Sequence, residues 1–360
     1  MKLNSYLLDL LTQSGRKESY IFELLDYQDN HKTYLKNCRS FKLDYSSLDS
    51  IKGKASITMT DDSQINFLTD RIKITMQIDT MGMRFLFPLG VFLMSSPSAN
   101  RNGDTKELST DVRDVQMYDK LYILYNDPVL DEHIIINGTS IDNEIARLLG
   151  THLYNIPTSG RFTTIDKVFP VGTRKLEIIN YLLDVINYHS LCVDGDGMYY
   201  AYPYIRPDER SIDIEYLSTK NNALEVQFQD ELDIFNIPNI FFFTTNNADG
   251  TNYSYVYTNS NPDSPTSTVS RHMNIGSEVQ TVDDCNSLDD LITKAKNYAS
   301  GVTTKYRHIK INTMIMPIHG YLNCVLVQNE KYNGKTIETS WGIDSQAKSM
   351  YHNLREAVAI

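Results

Sequence analysis

Alternating apolar and polar positions predict β-structure in the first third of the chain. The clearest strand covers residues 71–78, where every second position is apolar. One side of this strand carries Ile72, Ile74, Met76 and Ile78, and the other carries Arg71, Lys73, Thr75 and Gln77. A period of two residues is typical of a strand with one face on a core.

Neighbouring segments extend this pattern. Residues 54–60 alternate less cleanly, and residues 84–94 are almost continuously apolar. The second run predicts a strand buried on both faces, with a bulge or kink at Pro88. A turn-rich loop is expected over 95–104, followed by a strand over 107–118. Together these antiparallel elements predict a barrel or sandwich of about a hundred residues.

The period changes to that of helices between residues 126 and 224. A short helix is marked by Ile141, Ile145, Leu148 and Leu149, and a stronger one by Leu176, Ile179, Leu182, Leu183 and Ile186. Thr173 is the expected N-cap of the stronger helix. Asp194-Gly-Asp-Gly197 then separates two β-runs. The segment therefore predicts a small α/β domain.

Residues 225–343 have the pattern of a second barrel interrupted by a helix. Strands are expected over 225–229, 233–244, 253–258, 306–316, 321–328 and 335–343. The helix is expected over 287–300, with Ser287 and Asp290 as a start resembling a capping box. Residues 1–17 predict a short amphipathic helix, and residues 346–360 a short helix or a loose tail.

Composition narrows the class of protein. The chain has 360 residues, of which 41% are hydrophobic and 22% charged, which is typical of a soluble protein with two or three domains. The 24 Tyr and 13 Phe favour β-structure and interfaces. A formal charge of −11 argues against a protein that grips nucleic acid, because that needs clustered Lys and Arg.

The cysteines and the N-terminal residues indicate the cellular compartment in which the protein is expected. Cys38, Cys192, Cys285 and Cys324 are far apart and form no CxxC pair, so they predict structural free thiols rather than a zinc ribbon. No run is long enough for a membrane span. Asp9 interrupts the N-terminal apolar run, which argues against a signal peptide. We therefore expect a protein that stays in the cytoplasm until it assembles.

Asp194-Gly-Asp-Gly197 is the motif that resembles a metal site most closely. Alternating carboxylates can open a calcium loop, but the following residues offer no further oxygen ligands of that pattern. Asp-Gly between two β-runs is also the usual hairpin turn, and we favour the turn.

The remaining candidates for chemistry have simpler explanations. The eight histidines show no HxH or HxxxH spacing, and His319 is expected to be a turn histidine with a backbone partner, although it could be catalytic in principle. Nucleophile elbows and phosphate-binding glycine loops are absent. Carboxylate pairs at 61–62, 283–284 and 289–290 belong to polar turns or a helix start. The sequence assigns no catalytic, cofactor-binding or metal-binding residue and predicts no enzyme.

Two tyrosine-rich runs leave two interpretations open. Residues 199–204 and 253–257 place tyrosines on strands. Such tyrosines could stack on sugars, or they could form a subunit interface, which we favour.

The order of these motifs resembles the tail-hub family, the phage baseplate hub proteins related to the trimeric hub of contractile tails and to VgrG hub domains. Seven short motifs carry the resemblance: the corner at 261–267, the capped helix, the strand ending at Pro317-Ile-His319, the strand 321–327, the run Phe87-Pro-Leu-Gly-Val-Phe92, the run Met117-Tyr-Asp-Lys-Leu121, and residues 173–184 with the hairpin that follows them. The resemblance covers about residues 18–345. Gly320-Tyr-Leu322 departs from it, because many relatives have an acidic turn there.

The resemblance implies a mainly β, α+β fold with two hub-type β-barrel domains separated by a small α/β domain. The expected divisions are an N-terminal helix (1–17), a first barrel (18–125), the α/β domain (126–224), a second barrel with an inserted helix (225–345) and a tail (346–360). Each ring of three chains would present six barrels, which matches a hexameric tube.

The implied function is a virion structural protein, assembled in the host cytoplasm and located at the tail tip or baseplate. The homotrimeric ring would surround the DNA channel and join the tail tube or distal tail ring, with the tape-measure protein, to a central spike or fibre. Genomic DNA would pass during ejection without specific binding. Two alternatives are a tail-associated cell-wall hydrolase that depends on His319 and a carbohydrate-binding receptor module that depends on residues 199–204.

Overall fold

The fold is mainly β, with a smaller helical part. The structure is a computed structural model, and it describes residues 11, 15–60, 64–100, 112–217, 224–233, 235–246, 252–285 and 287–360. The predicted α+β, mainly β class is confirmed. The predicted helix over 1–17 lies largely outside the described residues, although Leu11 is buried and strand β1 already begins at Lys17.

Thirteen strands form one large sheet. Its first seven are β1 (Lys17–Leu25), β2 (His31–Leu35), β3 (Cys38–Ser46), β4 (Gly53–Thr60), β5 (Arg71–Thr80), β6 (Met83–Asn100) and β7 (Val112–Asp119). They lie in the order β3-β4-β7-β6-β5-β1-β2, and all their pairings are antiparallel.

Strands β5 and β6 test the clearest predictions. The four apolar side chains predicted to face inward on β5 are fully buried. In β6 the register shifts opposite Ile74 and Thr75, which leaves Leu89 without a partner and confirms a bulge beside Pro88. The prediction that this run is buried on both faces was wrong, since Leu86 is 55% exposed. The predicted loop was also wrong over residues 95–100, which continue β6 and pair with β7.

Six strands from the end of the chain complete the large sheet. They are β13 (Ile214–Leu217), β14 (Leu224–Leu232), β18 (Arg307–Thr313), β19 (Cys324–Gln328), β20 (Asn333–Asp344) and β21 (Ser349–Glu356). Strand β20 pairs with β3, so the two predicted barrel segments share one sheet. One hydrophobic cluster also draws on both segments, including Ile74 and Ile343. The domain boundaries themselves stay a prediction.

Strand β21 corrects the predicted helix or loose tail. It pairs with β18 and β20, and its inward positions are Met350, His352 and Leu354. The alternation is that of a strand, but the middle inward position is a histidine, so the apolar row is broken in the sequence.

The middle segment forms its own core. It contains helices α1 (Leu121–Tyr125), α2 (Ile141–Leu149) and α3 (Lys175–Val185), and short strands β8 (His133–Ile135), β9 (Tyr154–Asn155), β10 (Lys167–Phe169), β11 (Cys192–Val193) and β12 (Tyr199–Tyr200). Both predicted helices are present. The predicted N-cap was wrong, because Arg174 occupies that position and the Thr173 hydroxyl donates to the Pro170 carbonyl instead.

A separate small sheet follows β14. It is formed by β15 (Ile240–Thr245), β16 (Ser254–Thr258) and β17 (Gly276–Val282), with a short helix α4 (Thr268–Arg271) between the last two. Helix α5 (Leu288–Thr303) packs on it through Leu291, Ala295 and Ala299. The Ser287 hydroxyl accepts from the Asp290 amide at 3.1 Å, which confirms the predicted start of this helix. The insertion in the second barrel segment therefore contains three strands in addition to the predicted helix.

Candidate functional site

A buried polar cluster in the large sheet brings together three titratable side chains, His319, Glu338 and His352. Glu338 on β20 lies between two histidines, His319 from the connection before β19 and His352 on β21. Each carboxylate oxygen faces one histidine Nδ1 atom at 2.6 Å. The three side chains have zero exposed surface. The sheet thus brings together residues that are 14 to 33 positions apart in the sequence.

The far side of each imidazole also has a partner. The Tyr216 hydroxyl lies 2.8 Å from Nε2 of His319, and the Thr313 hydroxyl lies 2.8 Å from Nε2 of His352. These contacts fix both rings so that their Nδ1 atoms point at Glu338.

Thr313 determines which nitrogen of His352 carries a proton. Its hydroxyl donates to the Met314 carbonyl at 2.8 Å, and a hydroxyl has a single proton to donate. The contact to His352 therefore requires Nε2–H to donate to the Thr313 oxygen. The 2.6 Å contact between His352 Nδ1 and Glu338 Oε1 then holds a proton, carried either by the ring or by the carboxyl group.

Burial opposes charge throughout this cluster. It raises the pKa of Glu338 above its usual range, lowers the pKa of His319 to about 3 and lowers the pKa of His352. The expected backbone partner of His319 was wrong, because its ring contacts two side chains. Sequence inspection missed the cluster, since its members come from different strands and have no local spacing.

The Asp194–Gly197 segment has the geometry of a hairpin turn between β11 and β12. Asp194 Oδ1 accepts from the amides of Asp196 and Met198, and the Gly197 amide donates to the Asp194 carbonyl. Asp196 forms an ion pair with Lys73 of β5 at 2.7 Å. A Cβ atom at Gly195 would overlap the Pro88 carbonyl, so this turn packs closely against the bulge of β6. The favoured interpretation as a turn agrees with these contacts.

The first tyrosine-rich run follows this hairpin into a cleft. Tyr199 is fully buried, and its hydroxyl donates to the Lys120 carbonyl. Tyr200, Tyr202 and Tyr204 line a cleft of about 670 Å³ together with Arg210. Tyr202 is 41% exposed. The run therefore divides into one core residue and three residues that a ligand or another chain could contact.

The second tyrosine-rich run belongs to the small sheet. Tyr253, Tyr255 and Tyr257 pack, partly buried, against the cluster that α5 covers. The three tyrosines of the run 253–257 thus have a structural role within the chain.

The carboxylate pairs are held by nearby cations and amides. Asp283 pairs with Lys167 at 2.9 Å, and Asp284 accepts from the Thr164 amide at 2.8 Å. Asp290 pairs with Arg161 at 3.0 Å, which keeps the pKa of Asp290 low although burial alone would raise it. The pair at 61–62 lies outside the described residues.

The cysteines and the helices give two further results. The four cysteines are thiols outside any disulfide, and Cys192, Cys285 and Cys324 are buried, as expected for structural thiols. Among the described residues, no helix has both the length and the apolar character that a membrane crossing requires.

Three apolar side chains on the paired strands β8 and β10 and just after β8 are exposed on the middle segment. We call Ile134, Ile136 and Val168 the apolar strand pair. Ile134 and Val168 lie directly opposite each other in the two-stranded sheet β8–β10. Their exposed fractions are 55% and 52%, and that of Ile136 is 61%. Contiguous exposed apolar side chains are typical of a surface that another chain covers.

The fold is similar to that of solved phage tail proteins. A tail protein from Neisseria meningitidis MC58 is 11% identical with a TM-score of 0.63, over 94% of this chain and 96% of that one. Prophage tail protein gp18 from Listeria monocytogenes EGD-e is 11% identical with a TM-score of 0.61, over 94% of each chain. A chain of the Francisella PdpA–VgrG complex is 10% identical with a TM-score of 0.52, over 98% of this chain and 60% of that one.

These similarities confirm the predicted resemblance at the level of the fold: the chain has the fold of tail proteins and of a VgrG-containing complex. No family model matches the sequence, and no curated protein does so. The likeness lies in the three-dimensional structure and hardly in the sequence.

Proposed function

We propose that this protein is a structural hub of a phage tail tip or baseplate. Three copies form a ring around the DNA channel, and the ring joins the hexameric tail tube or distal tail ring to a central spike or fibre. The tape-measure protein ends at the same ring. The observation that carries the proposal is a fold shared with tail proteins over nearly the whole of both chains.

The surface of the chain supports a role in assembly. The apolar strand pair offers neighbouring exposed apolar side chains that a partner chain could cover. A cyclic trimer would cover such side chains with the equivalent chain, and a closed ring limits further growth.

The charge supports passage of DNA rather than its capture. With a formal charge of −11 on each chain, the ring repels phosphates on average. A channel lined by such a ring lets the genome pass without holding it.

The buried cluster argues against the cell-wall hydrolase alternative. His319 belongs to the wall of the cleft, but the side chains of His319 and Glu338 have zero exposed surface, so a glycan or peptide in the cleft does not touch their ring and carboxylate atoms. The carbohydrate-binding alternative keeps one supporting feature, the cleft that Tyr200, Tyr202 and Tyr204 line. If this cleft binds sugar, Tyr202→Ala will abolish retention on purified host cell walls, while the exposed Tyr27→Ala will not.

Oligomeric state and partner binding test the hub proposal. Light scattering on the purified chain should give three times the chain mass, and the trimer should bind the tail-tube or distal tail protein encoded beside it. Ile134→Asp should dissociate the trimer, because it places a charge in an apolar contact. The matched control is Leu68→Asp, since Leu68 is 95% exposed and lies on the large-sheet segment.

A monomer at every concentration that binds neither tail partner would contradict the proposal. A trimer that Ile134→Asp and Leu68→Asp disturb equally would contradict only the assignment of the apolar strand pair to the interface.

A further inference from the structure

We propose that the cleft beside the hairpin turn of residues 194–197 is a binding site for a neutral saccharide. Tyr200, Tyr202 and Tyr204 line this cleft together with Arg210, and its volume is about 670 Å³. Small-molecule sites usually have volumes of about 300–1,000 Å³. Saccharide binding would add a contact with a glycan to the hub role, and it does not depend on that role.

Tyr202 offers the flat apolar surface on which a sugar ring can stack. It is 41% exposed, yet its ring is held in place. The Tyr202 hydroxyl accepts from the Asn155 side-chain amide at 3.1 Å, and the rings of Tyr200 and His189 lie 5.7 and 6.1 Å from its centroid. The C–H groups on one face of a pyranose pack on the electron-rich face of an aromatic ring. A ring that is already held loses little conformational freedom when a ligand binds.

His189 fixes the backbone that carries Tyr202. Its Nδ1 atom donates to the Ser190 carbonyl at 2.8 Å, and its Nε2 atom accepts from the Tyr202 amide at 3.0 Å. Burial lowers the pKa of His189 to about 4, in agreement with a neutral ring that accepts at Nε2. Tyr321 stacks on this imidazole with the ring centroids 4.3 Å apart. The aromatic wall of the cleft is therefore formed before a ligand arrives.

The polar side chains of the cleft leave both donors and acceptors available. Asp213 accepts from the Cys324 amide through Oδ2, and Asn323 accepts from the Gly320 amide through Oδ1. Within the part of the chain that the structure describes, the Asp213 Oδ1 atom, the Asn323 NH₂ group and the Arg210 guanidinium have no hydrogen-bond partner. A sugar hydroxyl both donates and accepts, so neighbouring hydroxyls can use both kinds of atom.

The charges in the cleft favour an uncharged ligand. Among the described residues of its wall, Arg210 faces three carboxylates, those of Asp194, Asp196 and Asp213. Two of the three are already bound within the chain, because Asp196 pairs with Lys73 at 2.7 Å and Asp194 accepts from two backbone amides. One carboxylate and one guanidinium remain, and this balance suits a neutral polar ligand better than an anion or a cation.

An array of neutral and acidic bacterial oligosaccharides, probed with the full chain, tests the site. The chain should bind neutral oligosaccharides and leave the acidic ones. Calorimetry with the neutral oligosaccharide that binds most tightly then compares variants. Tyr202→Ala should weaken its binding by at least about tenfold, because the stacking surface is lost, whereas Tyr202→Phe keeps the ring and should bind almost normally.

A second pair of variants tests the polar side of the cleft. Arg210→Met should weaken the same binding by about tenfold, because it removes the available donors. The matched control is Arg39→Met, since Arg39 is exposed on β3 and lies outside the cleft. If Tyr202→Ala does not fold, Tyr202→Phe and the arginine pair still decide.

The outcomes separate this proposal from the others. The absence of binding to every neutral oligosaccharide, or binding that Tyr202→Ala and Arg210→Met leave unchanged, would overturn it. Binding to acidic oligosaccharides alone would overturn it as well. If Tyr202→Ala instead abolishes binding of the tail-tube or distal tail protein and the chain binds no sugar, the cleft is a protein interface. A monomer that binds neutral sugar through Tyr202 would contradict the hub proposal and support this one.

Discussion

Strands β5 and β21 belong to one sheet and one core, yet they fill that core differently. The inward row of β5 is Ile72, Ile74, Met76 and Ile78, whereas that of β21 is Met350, His352 and Leu354. The side chains of an apolar row need neighbours that fill the space around them, and they need no particular hydrogen-bond partner. His352 needs particular partners, and Glu338 and Thr313 supply them from two other strands. The difference shows that part of this core depends on defined long-range contacts.

The largest expected effect comes from removing the shared partner of the two histidines. Glu338→Ala should lower the free energy of unfolding by about 3–5 kcal/mol, because it leaves buried polar atoms unpaired and opens a cavity. In the apolar row, Ile74→Val should cost only about 0.5–1.5 kcal/mol. Denaturant unfolding of both variants measures the contrast. A smaller loss for Glu338→Ala than for Ile74→Val would invalidate the comparison.

A smaller effect is expected at the edge of the cluster. Tyr216→Phe removes the hydroxyl that contacts His319 and should cost about 1–3 kcal/mol, because a buried nitrogen loses its partner. Tyr27→Phe serves as the control, since Tyr27 is 63% exposed. Equal midpoints for the two variants in the same unfolding experiment would show that the contact contributes nothing.

The smallest effect is expected for a feature that local sequence reveals. Ser287→Ala removes the side-chain cap of α5 and should cost about 1 kcal/mol. The control is Thr293→Ala on the exposed side of the same helix, which should change stability by less than about 0.5 kcal/mol. Hydrogen exchange of the first-turn amides would report the effect locally. Unchanged exchange in Ser287→Ala would contradict it.

Local patterns predicted the elements whose stabilising contacts are local. The alternation of β5, the cap of α5 and the turn after Asp194 could all be recognised from a few neighbouring residues. Strand β17 was missed because its apolar side chains do not mark an inward face. Val279 lies on the exposed side of the strand, and the side chains on the opposite side are only partly buried. Strand β21 was missed because a histidine interrupts its inward row.

The candidate site could not be predicted in the same way. His319, Glu338 and His352 are brought together by the pairing of β20 with β21 and by the connection after β18, and neither follows from local spacing. The joining of the two barrel segments through β3 and β20 was missed for the same reason. Alternation predicts which face of a strand is inward, but it does not identify the strand alongside.

The most direct test of the central claim is to locate the protein on intact virions. Particles that carry an epitope tag on this chain should bind gold-labelled antibody at the distal end of the tail, and deletion of the gene should give particles without a tail tip. Label at the tail tip is the result that the hub proposal predicts. Purified, infectious virions that lack the chain would contradict it.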